Sequence, residues 1–282
     1  MKVKPIDYLE LWRTITERHN SFKQLSSPED IWKHKAENFD TNVKKRWKTP
    51  DSSREWLRKL LENNPGSSFL DIGAGTGAWT CFAAPLCEYV TALEPSQSMI
   101  NILSDNIQKH DPGNVHIIKK AWPAKLQDIH DITLSAHSLY GCPNFASCIK
   151  EMNDITSHTC VLLLRAPSIH SLTAEISQKI WGHPHDSPNF QIAYNALLQM
   201  GIFADVIIED NALWNPWEYD SVESAFYDIK RRMGVPDKSR FDTWLMQILH
   251  AKLIKSNERY LWPDTIRSAL VHWRTDSGLT DV

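Results

Sequence analysis

The sequence predicts a doubly wound α/β fold, in which helices cover both faces of a mostly parallel β-sheet. The main observation is that short apolar runs alternate with stretches of helical periodicity from Ser67 onward, the pattern of successive βαβ units. A second is that Gly73, Gly75 and Gly77 directly follow the first apolar run. The chain also has 282 residues, which is enough for one large domain with appendages.

Three helices are predicted before the sheet begins. The first follows Pro5, where apolar residues recur at helical spacing. The second begins at Pro28 with Ser27 as its N-cap, and its apolar stripe extends to Trp47. The third covers about 51–63 and ends at an Asn-Asn-Pro-Gly turn.

Seven strands are predicted after these helices. Each is a short run rich in apolar and β-branched residues, separated from the next by a helix or a turn. The helix after the second strand is the best marked, because Ser96 caps it and Asp-Pro-Gly at 111–113 ends it. We place the strands at 68–72, 89–93, 115–118, 131–136, 159–165, 202–210 and 268–273.

The chain is predicted to divide into four segments. Residues 1–64 form an N-terminal helical segment, and residues 65–214 form the core with the first six strands. Residues 215–257 contain at least two helical patterns and form a helical cap inserted before the last strand. Residues 258–282 hold that strand, which completes the core.

The overall charge argues against a nucleic-acid partner. Lys and Arg number 31 and Asp and Glu number 34, so the formal net charge is −3, whereas polyanion-binding proteins usually carry excess positive charge. No stretch approaches the roughly 20 apolar residues that a membrane span needs, and no secretory leader is recognisable. We therefore expect a soluble, cytoplasmic protein with no nucleic-acid and no membrane partner.

The cysteines and histidines predict no metal site. The five cysteines are odd in number and contain no C-x-x-C pair, which argues against a disulfide framework or a structural zinc site and fits a reducing compartment. His183-Pro-His185-Asp186 offers alternate histidines and an acid, but no fourth ligand is identifiable.

The glycine cluster predicts a loop that holds a ligand with backbone amides. Glycines after a strand let backbone and a helix N-terminus approach a ligand closely. A dinucleotide site also uses such a loop, but its spacing is G-x-G-x-x-G, whereas residues 73–77 read G-x-G-x-G. Asp71 would repel a pyrophosphate and favours a ligand with an ammonium group instead. S-adenosylmethionine is such a ligand, and we predict it as the cofactor.

The second strand supports this prediction. It ends in Glu94, whose carboxylate can accept hydrogen bonds from both hydroxyls of a ribose. Glu94 alone would also suit a dinucleotide. Asp71, the G-x-G-x-G loop and Glu94 together resemble the class I S-adenosylmethionine-dependent methyltransferases, whose first motif is an acid, one residue and G-x-G-x-G. The resemblance covers about 67–210 and the last strand, and implies that this strand is antiparallel in a Rossmann-like sheet.

The resemblance also implies further cofactor contacts. The adenine should lie near Ala121 and Trp122, where many relatives have an acid that is missing here. The N-terminal segment should form a lid, with Trp32 and Phe39 over the methionine end, although the same residues could simply dock the helix. The predicted cofactor contacts are Asp71, Gly73, Ala74, Gly75, Gly77, Glu94, Pro95, Met99, Ala121, Trp122, Ala136, Trp32 and Phe39.

His137 and Tyr140 are the candidate catalytic residues. They follow the fourth strand, where the carboxyl ends of parallel strands face the ligand crevice. Either could act as a general base or as an orienting hydrogen-bond partner, and the plainer alternative is that His137 bonds locally and Tyr140 packs. Methyl transfer depends largely on alignment, so catalytic residues leave little trace in a sequence.

The predicted function is methyl transfer from S-adenosylmethionine to an oxygen, nitrogen or sulfur atom of a small molecule. The lid and the cap suggest an enclosed pocket, which suits a small acceptor. Two alternatives stay open: a cofactor-binding regulatory or scaffold protein without turnover, and a methyltransferase acting on protein side chains. The protein is expected to be a monomer or a homodimer.

Overall fold

The fold is built on ten strands, seven of them in one central sheet. A computed structural model describes residues 5–24, 30–110, 113–212 and 216–275. The strands are β1 (Ser68–Ile72), β2 (Tyr89–Leu93), β3 (Val115–Ile118), β4 (His130–Ala136), β5 (Thr156–Ala166), β6 (Asp205–Ile208), β7 (Glu218–Tyr219), β8 (Ile254–Ser256), β9 (Arg259–Leu261) and β10 (Arg267–Arg274).

The central sheet confirms the predicted doubly wound architecture. Its strand order is β3-β2-β1-β4-β5-β10-β6. The pairs among β1 to β5 are parallel, and β10 is antiparallel to both β5 and β6. The last strand is therefore inserted between the fifth and sixth strands. All seven predicted strands are present, with β6 shorter than predicted at both ends.

Helices cover both faces of this sheet. Asp51 accepts a hydrogen bond from the Arg54 amide and begins the predicted third helix. Ser96 accepts one from the Met99 amide at 3.1 Å, as predicted for the helix after β2. The helices are α1 (Tyr8–Gln24), α2 (Ala36–Arg46), α3 (Ser52–Asn63), α4 (Ala78–Ala83), α5 (Gln97–His110), α6 (Phe145–Asp154), α7 (Leu172–Trp181), α8 (Phe190–Gln199), α9 (Val222–Arg232) and α10 (Asp242–Lys252).

The second predicted helix begins later than the sequence suggested. The expected start at Ser27 and Pro28 lies outside the described residues, and residues 31–35 form turns before α2 begins at Ala36. The physical reason is that Asp30 does not support this helix. Its carboxylate accepts hydrogen bonds from the Ser96 hydroxyl and the Ser98 amide, at the start of α5.

Two apolar clusters fill the space between the sheet and its helices. One face of the sheet packs against α1, α6 and α8, where Trp12 is fully buried and its ring lies 4.6 Å from that of Phe145. The other face packs against α3 and α4 through Leu57, Leu61 and neighbouring residues. Burial of these side chains is the main favourable contribution to folding.

The cap contains more than the predicted helices. Besides α9 and α10 it has a three-stranded antiparallel sheet in the order β7-β9-β8. Its own apolar cluster includes Leu172 and Ile176 of α7, which join the cap to the core. The boundary predicted between 214 and 215 lies outside the described residues. The strands are two or three residues long, too short for a periodicity-2 pattern to show.

A disulfide bond lies close to the carboxyl end of β4. Cys142 and Cys148 are bonded to each other, although the cysteine pattern gave no reason to expect a disulfide. The bond joins the turn after β4 to α6. Within the described ranges, no helix is both long and apolar enough to cross a membrane.

Candidate active site

The carboxyl ends of β1, β2, β4 and β5 meet at one edge of the sheet. The register places Ile72 of β1 opposite Leu93 of β2 and Ser135 of β4. Residues that follow these strands therefore lie side by side, in the crevice where open α/β sheets bind ligands. They are the glycine loop (residues 73–77), Glu94 and His137.

The glycine loop has a left-handed backbone at each glycine, with φ of 71°, 57° and 88° at Gly73, Gly75 and Gly77. A Cβ at Gly73 would lie 2.3 Å from the Ser138 Cβ, and one at Gly77 would lie 2.3 Å from the Leu103 Cδ1. Glycine is required at these two positions by the close packing as well as by the left-handed backbone conformation. Gly75 is different, because a Cβ there would have no atom nearer than 3.8 Å.

Glu94 ties the glycine loop to β2. Its carboxylate accepts hydrogen bonds from the amides of Gly75 at 2.8 Å and Ser96 at 2.9 Å, and the residue is only 5% exposed. Burial raises the pKa of Glu94, and the two amides oppose this rise. A carboxylate has about four acceptor positions, so capacity for roughly two more donors remains, as a pair of hydroxyl groups would need.

Asp71 is buried behind the loop. It is 1% exposed, and the Thr80 hydroxyl donates to its Oδ2 at 2.6 Å. Burial raises the pKa of Asp71 to about 7, the bond from Thr80 lowers it, and the charge of Glu94 raises it further. The carboxyl is thus close to half ionised at neutral pH, and a neighbouring cation would favour its ionised form.

The N-terminal segment is held at this edge by hydrogen bonds that Asp30 accepts. Its carboxylate accepts from the Ser96 hydroxyl and from the amides of Ser98 and Trp32. Burial opposes ionisation, but these donors more than offset it and lower the pKa of Asp30 to about 2. Asp30 is therefore ionised at any physiological pH, and its contacts join the segment to the start of α5.

Trp32 and Phe39, the predicted lid residues, lie together above the glycine loop. Their ring centroids are 5.2 Å apart in an edge-to-face arrangement. The Phe39 Cε1 is the atom 3.8 Å from the Cβ position of Gly75. Asp40, the next residue of α2, accepts a hydrogen bond from Asn106, which also donates to the Thr76 carbonyl. The lid thus contacts the loop through both apolar and polar groups.

The remaining predicted cofactor residues differ in their exposure and in their position around the edge of the sheet. Ala74 and Met99 are buried, Pro95 is exposed and Ala136 is partly buried. Ala121 is exposed, while the Trp122 indole donates to the Cys148 carbonyl at 3.2 Å. Pro95 and Met99 flank the start of α5 beside Glu94, whereas Ala121 and Trp122 follow β3 at the same edge of the sheet.

His137 and Tyr140 form a bonded pair beside the loop. His137 Nδ1 lies 2.9 Å from the Tyr140 hydroxyl, and its Nε2 lies 3.3 Å from the Ser268 hydroxyl. Burial, with the positive charges of Arg46 and Arg165, lowers the pKa of His137 to about 3. Burial raises the pKa of Tyr140 to about 12. Both side chains are therefore uncharged near neutral pH.

The backbone of His137 is strained, with φ of 56°. Such a conformation is unfavourable for a residue with a Cβ, and it recurs at functional sites. It is maintained here because the His137 amide donates to the Leu163 carbonyl and the Ser138 hydroxyl donates to the Ile72 carbonyl. This turn places Ser138, a residue between the members of the His137–Tyr140 pair, against Gly73.

Sequence reasoning missed three residues of this edge, namely Asp30, Arg165 and Ser268. The Arg165 amide donates to the Tyr140 hydroxyl at 2.7 Å, and Ser268 is opposite Arg165 in the antiparallel pairing of β10 with β5. A charged residue closing the apolar run of the fifth strand was a usable signal for Arg165. Asp30 and Ser268 carry no comparable signal, because their partners are distant in sequence.

The histidine segment shows no metal-binding arrangement. His183 and His185 stack with ring centroids 6.2 Å apart, and His185 Nδ1 lies 3.3 Å from the Asn189 amide nitrogen. Within the part of the chain that the structure describes, no three His, Cys, Asp or Glu side chains are placed to share a metal ion.

Part of the core is similar to known proteins. Residues 69–158 match the family model described as "Methyltransferase domain". A curated protein of Methanobrevibacter smithii, named Probable cobalt-precorrin-6B C(15)-methyltransferase (decarboxylating), is 25% identical over 101 residues. That match covers 34% of this chain and 54% of the relative, so it spans about half of the relative's length.

Solved structures share the fold at low identity. The BH2331 protein of Bacillus halodurans C-125, a candidate methyltransferase, superposes with a TM-score of 0.54 at 13% identity, covering 79% of this chain and 99% of that one. The YcgJ protein of Bacillus subtilis superposes with a TM-score of 0.52 at 15% identity, covering 79% of this chain and 97% of that one.

The sheet has the fold of these solved structures, and the glycine loop, Glu94 and the His137–Tyr140 pair all lie within the segment that matches the methyltransferase-domain model. The sequence predicts S-adenosylmethionine as the ligand of this loop. The site residues fit this group. Gly75 leaves open space on its Cα, Glu94 has acceptor capacity for the ribose hydroxyls, and Asp71 can balance a cationic amino-acid tail.

Proposed function

We propose that the protein transfers the methyl group of S-adenosylmethionine to an oxygen, nitrogen or sulfur atom of a small molecule. The observation that supports this most strongly is the contact between Ser138 and Gly73. Ser138 fills the space of the missing Cβ, and it directly follows His137, which bonds to Tyr140. An acceptor bound at this pair would be adjacent to the methionine end of the cofactor.

A small acceptor is favoured because the edge is covered. The N-terminal segment is fixed at Ser96 and Ser98 by Asp30, and Phe39 approaches Gly75. Covering an active site excludes water and holds the reactants in line, which supplies much of the rate gain in a displacement reaction. A protein side chain would need an open groove in place of this cover.

When bound, S-adenosylmethionine supplies an electrophilic methyl group on a positively charged sulfur. The task of the chain's own residues is to orient the acceptor's lone pair and exclude water. His137 is suited to orientation and poorly suited to general-base catalysis, because a group with a pKa of about 3 is a weak base at neutral pH. Both of its ring nitrogens already have hydrogen-bond partners.

Calorimetry and a turnover assay test this function together. We expect S-adenosylmethionine and its demethylated product S-adenosylhomocysteine to bind, and NAD not to bind. Methyl transfer is then measured with labelled cofactor against a panel of metabolites and against intact proteins. Labelling of proteins alone would replace the small-molecule proposal, and cofactor binding without any transfer would indicate a regulatory protein.

A matched pair of variants locates the cofactor in this test. Gly75→Val should abolish binding, because its side chain would occupy the open space over the loop. Gly66→Val is the control, since Gly66 has a similar φ of 79° and no atom within 4 Å of its Cβ position, far from the crevice. Equal binding by both variants would contradict the proposed position of the cofactor.

A further inference from the structure

Arg165 has a buried hydrogen-bond donor without a partner. Its Nη2 donates to the Ser187 hydroxyl and, at 3.3 Å, to the Pro188 carbonyl. Its guanidinium carbon lies 5.0 Å from the centroid of the Tyr140 ring. The Nε atom is buried and has no hydrogen-bond partner. Because a guanidinium has five N–H donors, the side chain retains donors for a ligand.

Arg165 also lacks an anionic partner. Over the described ranges 5–24, 30–110, 113–212 and 216–275, no carboxylate forms an ion pair with it, although the residue is partly buried. Arg46 is the other cation that acts on the His137–Tyr140 pair. It forms an ion pair with Asp51, in which Nη2 and Oδ2 are 3.3 Å apart. Burying a cation without a counter-ion is unfavourable, so an anionic ligand beside the Arg165 guanidinium would supply the missing counter-charge.

The position of Arg165 in the sheet indicates which ligand supplies the anion. The glycine loop follows β1 and Glu94 follows β2, whereas Arg165 lies near the end of β5, two strands from β1 on the opposite side. Two strand spacings amount to roughly 10 Å. The His137–Tyr140 pair lies between them, after β4. Arg165 is therefore on the side of the crevice where the acceptor is proposed to bind.

We propose that Arg165 binds a carboxylate or phosphate group of the methyl acceptor. The planar guanidinium matches the geometry of such oxyanions, and the Tyr140 ring and hydroxyl hold the residue in position. The positive end of α8, which begins after Pro188, adds a favourable potential. This inference names the acceptor class and rests on the proposed methyltransferase function.

Titration with simple anions tests the inference without knowledge of the acceptor. Acetate, benzoate and inorganic phosphate are titrated calorimetrically into free protein and into protein loaded with S-adenosylhomocysteine, with acetamide and benzamide as neutral counterparts. We expect at least one anion to bind tenfold more tightly than its neutral counterpart. Anions that bind no better than the amides would overturn the proposal.

Three variants assign the effect to Arg165. Arg165→Gln should weaken anion binding about tenfold or more, and Arg165→Lys, which keeps the charge and most of the packing, should retain part of it. Arg240→Gln is the matched control, because Arg240 also lies over an aromatic ring, that of Phe241 at 4.8 Å, but on the exposed cap. An equal loss in the control, or none in Arg165→Gln, would contradict the assignment.

The affinity for the cofactor shows whether Arg165 binds a carboxylate of the methyl acceptor or the carboxylate of the cofactor itself. If Arg165 serves the acceptor, Arg165→Gln leaves the dissociation constant of S-adenosylhomocysteine within twofold of that of the wild type. A tenfold loss would show that Arg165 binds the cofactor's own carboxylate, and would overturn the inference. Failure of the proposed function is visible separately, as absence of cofactor binding or methyl transfer in the wild type.

Discussion

At the scale of single residues, the site contains two buried ionisable groups, an acid and a base. The pKa of the acid is raised, and the pKa of the base is lowered. Burial raises the pKa of Asp71 to about 7, and burial lowers that of His137 to about 3. In both cases the low-dielectric interior favours the neutral form. The two residues therefore affect the stability of the protein differently as pH changes.

Replacing Asp71 with Asn should stabilise the cofactor-free protein at pH 8. The folded pKa of about 7 lies above the unfolded value near 3.8, so the wild type loses stability as pH rises through this interval. Asn avoids burying the charge and can still accept from Thr80, which should yield a gain on the order of 2 kcal/mol. Urea unfolding at pH 5 and pH 8 measures this effect.

The control for this prediction is Asp131→Asn. Asp131 accepts from the Ser68 amide, and this bond lowers its pKa, so its replacement should destabilise the protein at pH 8. The Asp71 variant should also bind S-adenosylmethionine more weakly, because the cationic tail loses its counter-charge. Unchanged cofactor affinity would remove Asp71 from the binding site.

His137 should show no protonation between pH 5 and pH 8. Its folded pKa of about 3 lies below the unfolded value of 6.5, so the unfolded chain takes up the proton first and stability falls as pH drops from 6.5 toward 3. NMR titration of the imidazole, assigned with the variant His137→Gln, measures this directly. A midpoint near 6.5 would restore general-base catalysis as its role.

At the scale of elements, the lid is attached through Asp30 to the start of α5, the helix that follows Glu94. This attachment links a segment near the N-terminus with the end of β2, where Glu94 is proposed to bind the ribose. A lid that contacts both the loop and this helix should slow release of the cofactor.

Asp30→Ala should loosen the lid and weaken binding of S-adenosylhomocysteine about tenfold, because three donors at Ser96, Ser98 and Trp32 lose their acceptor. Hydrogen exchange in α2 should rise while exchange in the central sheet stays unchanged. Glu37→Ala, an exposed change on the same helix, is the control. Slow exchange in α2 of the Asp30 variant would show that the lid is held by its apolar contacts alone.

At the scale of the whole molecule, the cap has its own apolar cluster and its own ion pair. Lys230 is buried and contacts Asp242 at 2.7 Å and the Asp237 carbonyl at 2.7 Å, which fastens α9 to α10. The cap meets the core through α7. It therefore has the features of a unit that opens separately from the sheet.

Lys230→Ala should destabilise the cap, because it removes the hydrogen bonds from the buried ammonium group to Asp242 and to the Asp237 carbonyl. Hydrogen exchange should increase in α9 and α10 and leave the central sheet protected. Lys252→Ala, which removes an exposed pair with Glu175, serves as the control and should cost well under 1 kcal/mol. If hydrogen exchange increased equally in the cap and in the central sheet, the molecule would unfold as one unit.

Much of the fold was predictable because the strands of the central sheet are continuous apolar runs bounded by turns. The geometry of the loop was predictable from an unusual local pattern, as at Gly73 and Gly75, which both have a left-handed backbone. The start of α2 was not, because Asp30 forms its contacts with α5, about 66 residues further along the chain. Arg165 carried a weak signal, a charge at the end of an apolar run, but its contacts with Tyr140 and Ser187 could not be predicted because these residues lie 22 or more positions away.

The fit of Ser138 into the space left by Gly73 has a consequence for anyone who wishes to redesign this protein. The two turns share a single interlocking surface, so enlarging either side chain displaces its neighbour. Libraries that seek a new acceptor should therefore spare position 138 and randomise Arg165, the residue proposed to bind the acceptor.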